Sequence, residues 1–350
     1  MPMRSGIKEE GMRERPFFVD WAITGRCNLS CLHCERKMGG ELSTEEAKRV
    51  VGEIAALKPG WVIVEGGEPL LRPDIFEILA HMRSQDLEVY LITNGMSLDG
   101  EKVGILRDLG VKVMVSIDSA DPENFARIRR GARLEKVVGA ARSLAAEGIL
   151  CAVNTVISKE NYREIPEILA LSASLGARKV NLLGLKPCPS YAERVLSPSE
   201  YEEAIILACE GASREELELF FDEPFFRAAV RELGISLPPP ETIGGILAPQ
   251  TSACIFGQYI FIEPNGKVKP CSFAPQLVLG DVREKSLVEI WGDFLTSPFL
   301  SSIRDPLTRK GRCRECPYLF ECKGCRSRTF ALTGDWFASD PACPVKGGKR

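Results

Sequence analysis

Cys27-Asn28-Leu29-Ser30-Cys31-Leu32-His33-Cys34 places three thiols within one short loop, just past Phe17 to Ile23, which reads as a buried strand. Packing does not explain them, because the thiols are interleaved with Asn28, Ser30 and His33 rather than with apolar neighbours. Three thiolates can hold three irons of a [4Fe–4S] cube, which normally takes four sulfur ligands, and so leave one iron open. A molecule carrying an amine and a carboxylate can chelate that iron, and electron transfer from the cube can break one of its bonds. The competing reading is a zinc knuckle with His33 as fourth ligand.

The chain has 350 residues, 45% of them hydrophobic and 27% charged, which is enough to bury a sizeable core in one large or two to three smaller domains. A net charge of −3 and a pI near 5.8 give no electrostatic footprint for nucleic acid. No apolar run is long enough to span a bilayer, and Met1 to Arg15 is charged without a hydrophobic centre, so neither a membrane span nor a signal peptide is expected. The expected location is the cytoplasm. The 13 cysteines stay reduced there, and their clustering points to metal ligation rather than disulfides.

Strands are expected at Phe17 to Ile23, Trp61 to Glu65, Glu88 to Ile92, Lys112 to Ile117, Leu150 to Ile157 and Lys179 to Leu183. Between them, helical patterns run from Ser43 or Thr44 to Leu57, Pro73 to Ser84, Asp99 to Leu109, Asp121 to Arg130, Glu135 to Glu147 and Tyr162 to Leu175. Strands alternating with helices call for a parallel sheet. The expected class is α/β, an open partial (β/α)6 TIM-like barrel, whose ligands sit at the carboxyl ends of the strands.

Motifs follow those strand ends in turn. After the second strand comes Gly66-Gly67-Glu68-Pro69-Leu70, where two glycines permit close backbone approach and a carboxylate can meet an ammonium. The C-x3-C-x2-C loop, with Asn28 after its first cysteine and His33 before its last, together with this Gly-Gly-Glu-Pro stretch strongly resembles the radical S-adenosylmethionine (SAM) superfamily. The resemblance implies reductive cleavage of SAM to methionine and a 5′-deoxyadenosyl radical that abstracts hydrogen from substrate, the cofactor carrying the chemistry and the protein aiming it. It also implies that Cys27, Cys31 and Cys34 hold the SAM cluster and that Gly66, Gly67, Glu68 and Pro69 contact the methionine amino group.

By the same resemblance, Ser116 and Asp118 at the end of the fourth strand help hold the ribose and carboxylate of SAM, although a strand-end Asp is ordinarily a turn former. Arg130 is similar to the arginine that pairs with the SAM carboxylate, a role Arg129 can equally claim. Asn154 either reaches the ligand or satisfies a neighbouring backbone group. Leu183 lies where family members contact adenine through backbone.

Beyond Pro187 the alternation dissolves. Pro198 to Glu210 and Arg214 to Leu233 read as helices, and Leu237-Pro238-Pro239-Pro240 begins a stiff linker ending near Gln250. A hairpin follows, Gln258 to Ile262 and Val268 to Pro270 joined through Asn265-Gly266, which brings Cys254 and Cys271 together. Then come Cys313-x2-Cys316-x5-Cys322-x2-Cys325 and Cys343. This arrangement resembles the SPASM domain, which carries two auxiliary [4Fe–4S] clusters. The match implies that Cys254, Cys271 and Cys325 ligate the nearer cluster, with one iron left open or held by an unrevealed ligand. Cys313, Cys316, Cys322 and Cys343 would ligate the outer one. The x2 between Cys322 and Cys325 departs from the commoner x3, and a zinc ribbon built from the two C-x2-C pairs is the bland alternative.

The expected domains are a flexible tail (1–16), the barrel (17–190), a helical connector with Pro-rich linker (191–250) and the SPASM domain (251–350). Cys151 and Cys209 read as small hydrophobes, whereas Cys188 follows the sixth strand on the ligand side. The implied cofactors are SAM and three [4Fe–4S] clusters. The implied partners are a small-molecule or peptide substrate and an external low-potential electron donor, with no nucleic acid and no membrane.

SPASM relatives act on ribosomal peptides, protein side chains and tetrapyrroles of the siroheme-dependent heme route. The run Cys325-Arg326-Ser327-Arg328, with Thr333-Gly334-Asp335 and Asp340-Pro341, is most similar to the heme-route enzymes. The few residues before the first strand leave no room for the peptide-binding winged helix of many peptide maturases. Both features favour a tetrapyrrole or other cofactor precursor, with a peptide or protein maturase as the alternative. A passive iron–sulfur electron carrier or zinc protein would need no intact Gly66-Gly67-Glu68-Pro69.

Overall fold

The strand that feeds the cysteine loop, β1 (Val19–Thr24), is buried along its whole length. It lies between two parallel neighbours, β2 (Val62–Gly66) and β8 (Ile260–Ile262). The computed structural model describes residues 15–34, 39–186, 191–235 and 254–347. Most of the expected amino-terminal tail, Cys188 and the Pro238-Pro239-Pro240 linker lie outside those residues.

From β1 the chain runs through α1 (Thr44–Leu57), β2, α2 (Ile75–Ser84), β3 (Val89–Thr93), α3 (Gly100–Asp108) and β4 (Lys112–Ser116). Next come α4 (Pro122–Ile128), α5 (Leu134–Ala146), β5 (Leu150–Ile157), α6 (Ile165–Ser174) and β6 (Lys179–Gly184). After α7 (Pro198–Arg214), β7 (Glu218–Phe221) and α8 (Phe226–Glu232), the carboxyl-terminal part carries β8, β9 (Lys267–Lys269) and β10 (Gly280–Asp281). It ends in α9 (Leu287–Leu295), α10 (Pro298–Arg304), α11 (Arg312–Glu315), α12 (Leu319–Cys322) and α13 (Arg326–Thr333).

Local chemistry sets several boundaries. Ser43 accepts from the Glu46 N–H while Glu46 returns to the Ser43 N–H, a capping box that starts α1. Ala47, Val50, Val51, Ile54 and Leu57 then recur at helical spacing and are all buried against the sheet. Ser197 with Glu200, and Ser286 with Glu289, start α7 and α9 in the same way.

The sheet order is β10-β9-β8-β1-β2-β3-β4-β5-β6-β7. The six parallel strands read from the sequence are present and the α/β partial barrel stands, but the sheet extends at both edges. Residues 214–233, expected as one helix, contain β7, which pairs parallel to β6 through Lys179↔Glu218 and Leu182↔Phe221. Four residues between helices carry too little periodicity to be told from a helical turn. At the other edge the expected hairpin, β8 and β9, continues the barrel sheet through Val19↔Ile260 and Trp21↔Ile262.

The carboxyl-terminal part is also pinned to α1. Arg283 donates to Glu46 at 2.8 Å and to the carbonyls of Glu41 and Asn265, and the Leu287 N–H donates to Glu53 at 2.6 Å. Alternate strand residues face the helices in one large apolar core, while Tyr90, Met114 and Ala152 form a small separate cluster. Among the described residues no helix is long and apolar enough to cross a membrane.

Because β8 is part of the barrel sheet, truncating fully buried Ile260 to alanine should destabilise the whole chain by about 2–4 kcal/mol. A shift of one cooperative melt is the expected result. An early, separate transition of the carboxyl-terminal part would contradict the shared sheet.

Candidate iron–sulfur and SAM site

The cysteine loop leaves β1 at Thr24 and is fixed by backbone rather than by its own packing. Ser30 N–H donates to the Arg130 carbonyl at 3.0 Å and Leu32 N–H to the Ile128 carbonyl at 2.9 Å, which ties the loop to the end of α4. Cys27 and Cys34 are exposed and Cys31 is half-buried. Burial pushes the Cys31 thiol up to about 11, opposed by Arg129 and reinforced by Asp118 and the other two thiols. Burial likewise raises the Cys27 thiol, so these two neighbours resist ionising together unless a cation joins them, as irons would.

Gly66 and Gly67 permit close approach, and what approaches is the chain's own loop. A Cβ on Gly66 would lie 2.4 Å from the Thr24 carbonyl oxygen, and one on Gly67 2.2 Å from that of Arg26. The Gly67 N–H donates to Thr24 at 2.8 Å and the Glu68 N–H to Arg26 at 2.7 Å. Pro69 opens a short 3-10 turn, Pro69–Leu71, for which Glu68 is the cap. The Glu68 carboxylate is fully buried. It accepts from the Thr93 hydroxyl at 2.8 Å, the Asn94 N–H at 2.7 Å and the Leu70 N–H at 3.3 Å. Burial raises its pKa, with those donors pulling the other way. Three of roughly four acceptor positions are thus engaged within the protein.

Asp118 is fully buried. It accepts from the Val156 N–H at 2.8 Å, ion-pairs with Arg129 at 2.6 Å and lies 3.9 Å from His33. Of the two candidate arginines, Arg129 is the buried one, set against Asp118 and the thiols. Arg130 is exposed and holds the loop through its carbonyl. Ser116 and Asn154 are register partners on β4 and β5, and Asn154 pairs in turn with Asn181 on β6, whose amide donates to it at 2.7 Å. Leu183 is half-buried near the end of β6.

Asn94 was not among the sequence candidates. Its amide donates to Asn28 at 2.8 Å and lies 4.0 Å from the Cys27 sulfur, while its N–H is held by Glu68. The signal was available: Thr93-Asn94-Gly95 follows the third strand as Gly66-Gly67-Glu68 follows the second.

In the carboxyl-terminal part, Cys313, Cys316, Cys322 and Cys343 line one open pocket together with Tyr318, Leu319 and Asp340. Cys325 is not part of that wall. Lys323 and Gly324, between Cys322 and Cys325, both take left-handed backbone with φ of 64°, so two residues suffice to reverse the chain and turn the cysteines apart. Cys325 caps α13, its N–H donating to Asp340 at 3.0 Å. Ser327, two residues on, donates to the Cys271 sulfur at 3.3 Å, and the Cys254 thiol disfavours ionisation of both Cys271 and Cys325.

Four thiols spread round a cavity suit a cube, in which each thiolate takes its own iron.

The radical SAM superfamily model matches residues 21–172, and the SPASM model, described as an iron–sulfur cluster-binding domain, matches 254–317. An AdoMet-dependent heme synthase of Methanosarcina barkeri is 33% identical over 97% of this chain and 99% of its own length. The chain belongs to the radical SAM superfamily. A PqqA peptide cyclase of Granulibacter bethesdensis is 30% identical over 95% of the chain and 88% of that protein. Streptococcus suis SuiB bound to S-adenosylmethionine shares the fold, with a TM-score of 0.74 at 18% identity over 94% of this chain and 77% of SuiB. This radical SAM protein is accordingly an enzyme that uses SAM and iron–sulfur chemistry and carries a SPASM domain.

The contact of Gly67 with Arg26 gives a direct test. Gly67→Ala should force the cysteine loop away at about 1–3 kcal/mol and remove the iron of one cube, leaving carboxyl-terminal iron in place. Unchanged anaerobic iron content would show that the loop does not depend on this approach.

Proposed function

We propose that this radical SAM enzyme acts on a tetrapyrrole or closely related cofactor precursor, using one SAM-binding and two auxiliary [4Fe–4S] clusters. The observation that carries the substrate class is end-to-end similarity to the AdoMet-dependent heme synthase. The run from Cys325 to Arg328 agrees with it as a similarity, not as a substrate contact. Arg326 and Arg328 are fully buried, bonded to the carbonyls of Gly324 and Trp336 and to Asp340, and serve as scaffold.

In this reading Cys27, Cys31 and Cys34 hold the first cluster. Bound there and reductively cleaved, SAM supplies the radical that takes hydrogen from substrate. Glu68 offers its remaining acceptor position to the ammonium of the methionine end. Arg129, already charged and buried against Asp118, favours a carboxylate beside the loop and draws the thiols toward their anionic, iron-binding form. Ser116, Asn154 and the Leu183 backbone, on three adjacent strands, form the wall along which the nucleoside end lies. Cys254, Cys271 and Cys325 hold the nearer auxiliary cluster, and Cys313, Cys316, Cys322 and Cys343 the outer one.

Maturation of a peptide or protein side chain is the second reading, favoured by 30% identity to the PqqA peptide cyclase. Incubation with SAM, reductant and either a carboxylated tetrapyrrole or a cell-extract peptide pool separates them. Tetrapyrrole consumption matched by 5′-deoxyadenosine is expected; modification confined to a peptide would replace the first reading by the second.

Cys31→Ala should abolish 5′-deoxyadenosine while most iron remains, since the auxiliary ligands are separate. Persistence of that product would remove the assignment of the triad. Cys271→Ala, provided the variant keeps a cooperative melt, should leave SAM cleavage intact and block substrate turnover. Equal product yield from that variant would make the nearer cluster structural.

A further inference from the structure

Two buried polar side chains on β6 have bonding capacity that the protein does not use. Val180 and Leu182 face the helices in the main core, so Lys179, Asn181 and Leu183, alternating with them, share the face turned into the barrel. Lys179 is 6% exposed. Among the described residues its ammonium meets no carboxylate at ion-pair distance and no hydrogen-bond acceptor. It lies instead over the Phe220 ring, 5.9 Å from the centroid. Burial lowers its pKa, with Glu218 and Cys151 opposing from farther off. Lys112, at the start of β4, is by contrast spent on Glu88 at 2.8 Å and on the Tyr90 hydroxyl at 3.1 Å.

Asn181 is 1% exposed. Its amide nitrogen donates to Asn154 and reaches the Met114 sulfur at 3.7 Å, while its Oδ1 is buried without a partner. Both side chains thus carry a desolvation cost that no contact within the protein offsets. The face around them is open: Ile92, Val156 and Leu183, on the inner strands β3, β5 and β6, are only half-buried. Phe220 is the register partner of Asn181, so the Lys179 ammonium leans toward the Asn181 level, roughly 7 Å along the strand from Leu183. SAM has no need of this cation, because its carboxylate is met by Arg129, paired with Asp118 beside the cysteine loop.

We propose that Lys179 is a substrate-positioning residue that binds a carboxylate of the substrate inside the barrel, while the Asn181 carbonyl accepts a hydrogen bond from the same molecule. The apolar, half-open wall of Ile92, Val156, Leu183 and Phe220 suits the flat body of a ring system, and a low-dielectric surrounding strengthens the pairing at its rim. The inference rests on the reading of the substrate as a carboxylated tetrapyrrole. An acidic peptide offers the same two groups, and the test separates the sources.

The test is titration of the anaerobic, SAM-bound holoenzyme with a carboxylated tetrapyrrole and with its methyl ester, followed by the absorbance of the ring. Lys179→Met removes a buried charge at nearly constant volume, so it should keep its cooperative melt. It should bind the acid about ten- to a hundredfold more weakly, with SAM affinity unmoved. Esterification should cost Lys179→Met about tenfold less than it costs wild type, because the variant has already lost the contact. Lys179→Arg should recover most of the affinity, and Asn181→Leu should weaken binding about threefold. Wild-type affinity in Lys179→Met, or a loss confined to SAM, would overturn the inference alone. If wild type ignores the tetrapyrrole, the substrate reading falls, and a pool of acidic peptides decides: peptides retained by wild type and lost by Lys179→Met keep the role of Lys179, and an unchanged pool overturns it. Should Lys179→Met lose its cooperative melt, Asn181→Leu decides, and unchanged affinity in that variant overturns the inference.

Discussion

The pairing of β1 on both of its edges is the constraint on which the rest depends. With β2 on one side and β8 on the other, the strand that delivers the cysteine triad is also the strand on which the SPASM hairpin is built. Neither cysteine region can shift without disturbing the strand they share. A mobile carrier domain on a linker would have no such tie, whereas an enzyme that must hold auxiliary centres at fixed range from a radical source requires one.

The backbone makes the same point at atomic scale. Gly66 and Gly67 allow the end of β2 to run against Thr24 and Arg26, and the carbonyls of Ile128 and Arg130 hold the loop from the other side. Glu68 reaches from that junction to Thr93 and Asn94, and Asn94 turns its amide to the loop. The short motifs are thus a mutually bonded frame that leaves Cys27 and Cys34 exposed and Cys31 half-buried.

The triad and the barrel strands were legible because their signals are local: ligand spacing, alternation of apolar runs, capping residues such as Ser43 and Glu46. What was hidden depends on pairing across long sequence separations. The continuity of the sheet through β8 has no signature near Ile260, and β7 is too short to show a period. Arg129 and Arg130 are adjacent in sequence, and only the fold buries one and exposes the other. The run from Cys325 to Arg328 pointed to the heme-route enzymes as a similarity alone, and only the fold shows that Arg326 and Arg328 are buried, since a guanidinium's partners cannot be read from its neighbours in the chain. The x2 spacing before Cys325, a departure on paper, is accommodated by two left-handed residues.

The central claim is that ten cysteines of this radical SAM enzyme are divided among three cubes. Anaerobic reconstitution followed by iron and acid-labile sulfide determination, with Mössbauer spectroscopy to establish cluster type, tests it most directly. The account predicts about twelve irons per chain, all in [4Fe–4S] form. About four irons, with the cysteines from 254 to 343 open to alkylation, would contradict it.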